Sequence, residues 1–260
     1  MPIITVNQSD IFYYDNELEG TPHLFIHGWL GSSLEWSYQL FYFTSRKHII
    51  LIDLPGFGNS DRSKRNYSVD FYTNQILDFL KLLGYNEVVL IGHSLGGVIA
   101  QYITIQNPKL VKKLVLISSD IAISKTSKDK FKLFWVNLVF KLFYKQVLKN
   151  IIKRIISKEK ESREFQKLTK YAFELPKSIV LSTFKNMTLK FNLKKKLYNI
   201  SQDTLIIYGN MDNIISKSML GNLNDLIPQS DTKIIDSGSH RLMYENYSKV
   251  NDFIDEFINK

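Results

Sequence analysis

The chain contains no cysteine, and that absence removes several chemistries at once. Disulfide staples, thiolate metal sites and a cysteine nucleophile are all excluded. Nowhere do 18 apolar residues run together, so the sequence offers no spanning helix. The opening MPIITVNQSD lacks the basic-then-apolar pattern of an export signal, and the expectation is a cytoplasmic protein. Acidic residues are scarce in one place only. Residues 121–199 hold 20 Lys and Arg against 5 Asp and Glu, whereas the rest of the chain holds 14 against 20. The net charge of +9 is therefore the property of one segment, and the flanking parts are mildly acidic.

What is present is apolar material. With 44% hydrophobic, 13% aromatic and 23% charged residues in 260, the composition argues against disorder. It provides one sizeable core and an elaborated single domain. Short apolar runs at 3–6, 11–14, 24–26, 49–52, 88–91, 114–117, 205–208 and 233–235 read as eight strands. Most are continuous rather than alternating, as expected of strands buried on both faces of a mostly parallel sheet. Helical patterns at about 69–83, 95–106 and 247–258 alternate with them. The rhythm breaks after Ile117, and roughly 80 residues pass before the next strand, far beyond an ordinary connection. Apolar residues at 131, 134/135, 138/139, 142/143, 147/148, 151/152 and 155/156 predict an amphipathic, basic helix or helix pair there. Pro176 marks a break. The predicted organisation is a core of 1–120 and 200–260 with a basic helical cap inserted at 121–199.

Chemistry concentrates at the ends of strands. Gly92-His93-Ser94-Leu95-Gly96 follows one strand directly and opens a helix. A sharp strand-to-helix turn lifts a serine oxygen above the sheet, and the Leu95 N–H at the helix N-terminus is aimed at a developing oxyanion. Serine needs a base to act as a nucleophile near neutrality. Of the five histidines only His240 lies downstream, just past the last strand. An acid should fall between them, and Asp212 sits in the loop after the strand at 205–208. Asp120 competes for that role, although a turn or helix-capping function fits it better. Asp53 shapes a turn. His27-Gly28-Trp29-Leu30-Gly31 lies past the third strand, and the Trp29 N–H is the second candidate oxyanion donor. His27 and His93 are expected to shape their loops, and His23 and His48 have no evident catalytic partner.

Together these motifs resemble the α/β-hydrolase superfamily along nearly the whole core. The resemblance rests on His27–Ser33 with Trp36, on Asp53–Asp61, on Gly92–Gly97, and on the downstream segments that hold Asp212 and His240. It implies an eight-stranded, mostly parallel sheet flanked by helices, with 121–199 as the cap over the site. It also implies acyl transfer through Ser94, with no metal or organic cofactor called for. Serine at 94 argues against dehalogenases and epoxide hydrolases, whose elbow carries aspartate. Carboxylesterases, carbon–carbon bond hydrolases and the pimeloyl-carrier-protein methyl ester esterase of biotin synthesis stay open. So does a non-catalytic binding module using the basic cap. Phe131, Phe134, Trp135, Phe140, Phe143 and Tyr144 pack within the cap or line an acyl pocket. The basic face is solvated, or attracts an acidic acyl carrier protein, or lies on an anionic membrane surface. No nucleic-acid motif accompanies the charge.

Overall fold

The computed structural model describes residues 2–119, 127–155, 170–189, 193–194, 196–215 and 223–260, with the side chains of 127–134, 153–155 and 187–189 left aside. Asp120, the alternative acid, and the rings of Phe131 and Phe134 fall outside the described residues.

Eight strands form one sheet. They are β1 (Ile3–Val6), β2 (Ser9–Asp15), β3 (His23–Ile26), β4 (Ile49–Ile52), β5 (Val88–His93), β6 (Val111–Ile117), β7 (Thr204–Gly209) and β8 (Ser230–Ile235). Their order is β1-β2-β4-β3-β5-β6-β7-β8. β1 and β2 are antiparallel, β2 meets β4 antiparallel, and every later pairing is parallel. The apolar runs of β3 and β4 are buried at every position because helices cover both faces.

Alternation along the strands separates two cores. Leu24, Ile26, Ile50 and Ile52 face α2 (Val69–Leu82) and α3 (Leu95–Gln106). Phe25, Ile49 and Leu51 face Trp36, Phe43, Met243 and Ile254 on the other side. Those residues belong to a 3-10 turn at Ser33–Trp36, to α1 (Ser37–Phe43), and to two C-terminal helices, Leu242–Glu245 and Tyr247–Ile258. Each fully buried Leu, Ile or Phe is worth about 1.5–3 kcal/mol. Ser68 caps α2 by accepting from the Phe71 N–H.

Between β6 and β7 the described residues hold α4 (Ser127–Leu142), α5 (Tyr144–Ile155) and α6 (Lys177–Leu189). The C-terminal helices are therefore α7 (Leu242–Glu245) and α8 (Tyr247–Ile258). The periodic stretch after residue 127 is a helix pair, divided at Phe143. α6 begins directly after Pro176, whose carbonyl accepts from the Ile179 N–H. A proline that cannot continue a helix is well placed just before one. α6 falls within the segment expected to be a helical cap, whereas α1 and α7 had no counterpart among the expected elements. α1 and α7 are too short to show a helical period.

Candidate active site

Parallel strands put their C-terminal ends on one rim of the sheet, and the loops of β3, β5, β7 and β8 meet there. β3 and β5 are hydrogen-bonded neighbours, so the loop after β3 reaches the turn after β5. In that turn Ser94 has φ +50° and ψ −114°, a left-handed conformation sparsely used by non-glycine residues. The surroundings enforce it: the Ser94 N–H is held by the Ile117 carbonyl at 3.0 Å, and its own carbonyl accepts from Gly97 and Val98 as α3 begins. Ser119 Oγ also donates to that carbonyl at 3.0 Å.

The structure brings the three residues expected to work together into one chain of hydrogen bonds. Ser94 Oγ lies 3.2 Å from His240 Nε2. His240 Nδ1 donates to Asp212 Oδ2 at 2.8 Å. The other carboxylate oxygen of Asp212 accepts from the N–H groups of Ile214 and Ile215 at 2.7 and 2.9 Å. These contacts fix the tautomer: with its Nδ1 proton on Asp212, His240 presents a bare Nε2 to the serine. Burial pushes the Asp212 carboxyl up, but the hydrogen bond and charge of His240 and the two N–H donors outweigh it, and its pKa falls below the usual value. For His240, burial dominates and lowers the pKa against the raising influence of Asp212. Burial thus keeps the imidazole neutral, with Nε2 free to accept a proton near pH 7. The acid and base loops are pinned together as well. A Cβ on Gly209 would lie 2.0 Å from the Gly238 carbonyl oxygen, which also accepts from the Met211 N–H at 3.0 Å.

The loop after β3 approaches just as closely. A Cβ on Gly28 would stand 2.6 Å from His93 Nδ1 and 3.3 Å from Ser94 Cβ, so only glycine fits. Among the described residues, no acceptor takes the backbone N–H of Trp29 or of Leu95. The two expected oxyanion donors thus stand unengaged on either side of Ser94. His27 shapes this loop, donating from Nδ1 to the Gly28 carbonyl at 2.7 Å and accepting the Leu54 N–H at Nε2. Buried Asp53 likewise shapes its own turn, accepting from the Ser33 and Asn59 N–H groups.

One buried residue near the centre escaped the sequence reading. Glu35 accepts from the Gly28 N–H at 2.9 Å and from His93 Nδ1 at 3.1 Å, with Arg241 at 3.9 Å. The other ring nitrogen of His93 donates to the backbone carbonyl of His240 at 2.9 Å. Burial alone would raise the Glu35 carboxyl, yet His93 and Arg241 beside it hold it well below the usual range. Glu35 and His93 therefore brace the loop of Trp29 against the segment carrying His240. His48, for which no catalytic partner was expected, pairs with Asp15 at 2.8 Å beside Tyr85 at the start of β4, away from this rim.

The insertion meets the site through Trp29. Its indole N–H donates to Thr183 Oγ1 on α6 at 2.8 Å, and its ring packs with Phe140 of α4 and Phe184 of α6. Tyr144 stacks on Phe140. Of the aromatics proposed to pack or line a pocket, Phe140 and Tyr144 do join this cluster. Trp135 and Phe143 do not, because they lie on the outward side of the helix pair and are exposed.

A sheet of this order, with a serine elbow after β5 and an acid–histidine pair after β7 and β8, defines a hydrolase architecture. Residues 22–247 match the alpha/beta hydrolase fold family, and the chain belongs to it. It is 28% identical to epoxide hydrolase 1 of Caenorhabditis elegans over 91% of the chain, and spans only 64% of that relative's length. To the pimeloyl-[acyl-carrier protein] methyl ester esterase of Aeromonas hydrophila it is 22% identical, over 92% of this chain and 96% of that one. Its fold is shared with an esterase from Exiguobacterium antarcticum at a TM-score of 0.88 and 19% identity, with 99% of both chains covered.

Proposed function

We propose that the chain is a serine hydrolase that cleaves a carboxylic ester of a small or acyl-chain substrate through an acyl-enzyme on Ser94. The observation that carries this reading is the continuous relay from Ser94 Oγ through His240 to Asp212, with distances of 3.2 and 2.8 Å. In the first half-reaction Ser94 Oγ attacks the ester carbonyl carbon while its proton passes to His240 Nε2. The carbonyl oxygen becomes an oxyanion, held by the N–H groups of Trp29 and Leu95. Collapse breaks the carbon–oxygen bond of the leaving alcohol, which takes the proton from His240. Water, deprotonated by the same nitrogen, then attacks the acyl-enzyme and releases the acid and the free serine. Asp212 orients the imidazole and stabilises its protonated form without itself taking a proton. In this reading the acyl group lies along the half-buried rings of Trp29 and Phe184, with buried Phe140 packed behind them.

The likeness to a protein named an epoxide hydrolase supports hydrolytic chemistry, but serine at 94 favours acyl transfer over epoxide opening. The near end-to-end likeness to a protein named a methyl ester esterase supports ester substrates. The test is turnover of a p-nitrophenyl ester series by the wild type and by Ser94→Ala, with fluorophosphonate labelling alongside. Labelling at Ser94 and at least a ~10⁴-fold loss on substitution are expected. Full activity in a folded Ser94→Ala protein would reject the reading.

A further inference from the structure

Helix α4 is apolar on more than one side. Phe140 is buried against Trp29 and Phe184. Trp135, Val139, Leu142 and Phe143, at spacings of four, three and one, form a second stripe that is 49%, 45%, 66% and 62% exposed. At about 100° per residue these side chains share one face of the helix and its C-terminal corner. Contiguous apolar surface of this kind, rimmed by charge, marks an interaction site. The rim is basic: Lys141, Lys145 and Lys149 are exposed, and none pairs with a carboxylate among the described residues. From 127 to 155 the sequence has eight Lys and Arg against one acid, Asp129.

We propose that this outer face of α4, with the lysines of α4 and α5, is a docking surface for an anionic phospholipid bilayer. Each half of the pattern narrows the occupant. A second copy of the chain would bring lysines against lysines, which the charge opposes. An acidic protein would need carboxylates for the lysines and a matching apolar pocket for the Leu-Phe-Trp stripe, a more particular surface than a bilayer has to offer. A bilayer surface takes both, with the apolar side chains entering the headgroup–acyl boundary and the lysines meeting anionic headgroups. An indole at the edge of such a stripe suits that boundary, where one end of the ring is apolar and the other wet. No described helix is long and apolar enough to cross a membrane, so the contact is one of lying on the surface.

The proposal is independent of the ester chemistry and is tested without it. The full chain carrying Ser94→Ala, which leaves lipid uncut, is sedimented with phosphatidylcholine vesicles and with vesicles of phosphatidylcholine mixed with phosphatidylglycerol. Binding to the mixed vesicles, weakened by salt and accompanied by a blue shift lost in Trp135→Phe, is expected. The triple change Lys141→Gln/Lys145→Gln/Lys149→Gln should lower partitioning by about a hundredfold, at about fivefold per charge. Leu142→Ser/Phe143→Ser should lower it about tenfold or more. Both variants should keep the wild-type unfolding midpoint. Failure to sediment with mixed vesicles overturns the proposal. So does binding that ignores the Leu142 and Phe143 changes. Capture of an acidic acyl carrier protein by a chain that leaves the vesicles untouched would reassign the face to protein.

Discussion

Around Ser94 every ionised side chain is buried and has a partner at a fixed distance: Asp212 with His240, Glu35 with His93 and Arg241. On α4 and α5 the arrangement is inverted, with Lys141, Lys145 and Lys149 in water and Phe140, Leu148 and Ile152 inside. The two regions use charge differently. Beneath the rim a charge acts on its neighbour through little screening, so its position within an ångström decides its effect. On the insertion a charge acts through a field that salt attenuates over about 8–10 Å, and only the sum and sign count. Single conservative changes should thus be severe in the first region and mild in the second.

The sharpest break of that contrast is Asp212→Asn. It should lower kcat/KM by about 10⁴-fold by removing the partner that sets the His240 tautomer. Since Asp212 is also what raises the His240 pKa against burial, the pH profile supplies a second reading. In the proposed mechanism His240 works as the neutral base, so activity is lost as pH falls through its pKa. In the wild type that acid limb should lie below the ordinary histidine value of about 6.5, and in the variant lower still. A limb above it would contradict the assignment of His240 as a buried base.

Next in size is Glu35→Gln. Removing one member of a buried pair leaves the other uncompensated and should cost about 3–5 kcal/mol of stability, read from urea unfolding. Adding His93→Gln should recover part of the loss, which a pair of unrelated packing defects would not do. A cost under about 1 kcal/mol would mean that the pair behaves like a surface ion pair. The smallest expected effect falls where the regions join. Thr183→Val removes the acceptor of the Trp29 indole and should lower stability by about 1 kcal/mol in thermal unfolding, with the fold otherwise intact.

These contrasts explain what could be read from the sequence. Ser94, Asp212 and His240 were legible because each follows an apolar strand and they occur in a fixed order, so motif and context coincide. Glu35 was not, because its pairing with His93 spans 58 positions and nothing in Ser33-Leu34-Glu35-Trp36 separates a buried carboxylate from an exposed one. The eight strands were legible because burial on both faces leaves continuous apolar runs. Their ends were less so: β6 starts at Val111 with an exposed Lys112. The insertion taught a different lesson. Its helical period was visible, but a period reveals that residues share a face and not which way the face points. On α5 the stripe at Leu148 and Ile152 is buried, while on α4 the stripe at Trp135, Val139 and Leu142 is turned outward.

The pinning of Gly209 against Gly238 has an evolutionary consequence. β7 and β8 are in register from Thr204↔Ser230 to Gly209↔Ile235, and the two loops then touch before Asp212 and His240 meet. One residue added to or deleted from either loop would displace its side chain by about 3.3–3.6 Å, more than the hydrogen bond between them can absorb. Loop lengths after these strands are therefore coupled, and variation there is penalised in pairs. The long connection between β6 and β7 carries none of the three relay residues and is free of that coupling. Descendants of this chain can change its length without moving Asp212 and His240 relative to each other.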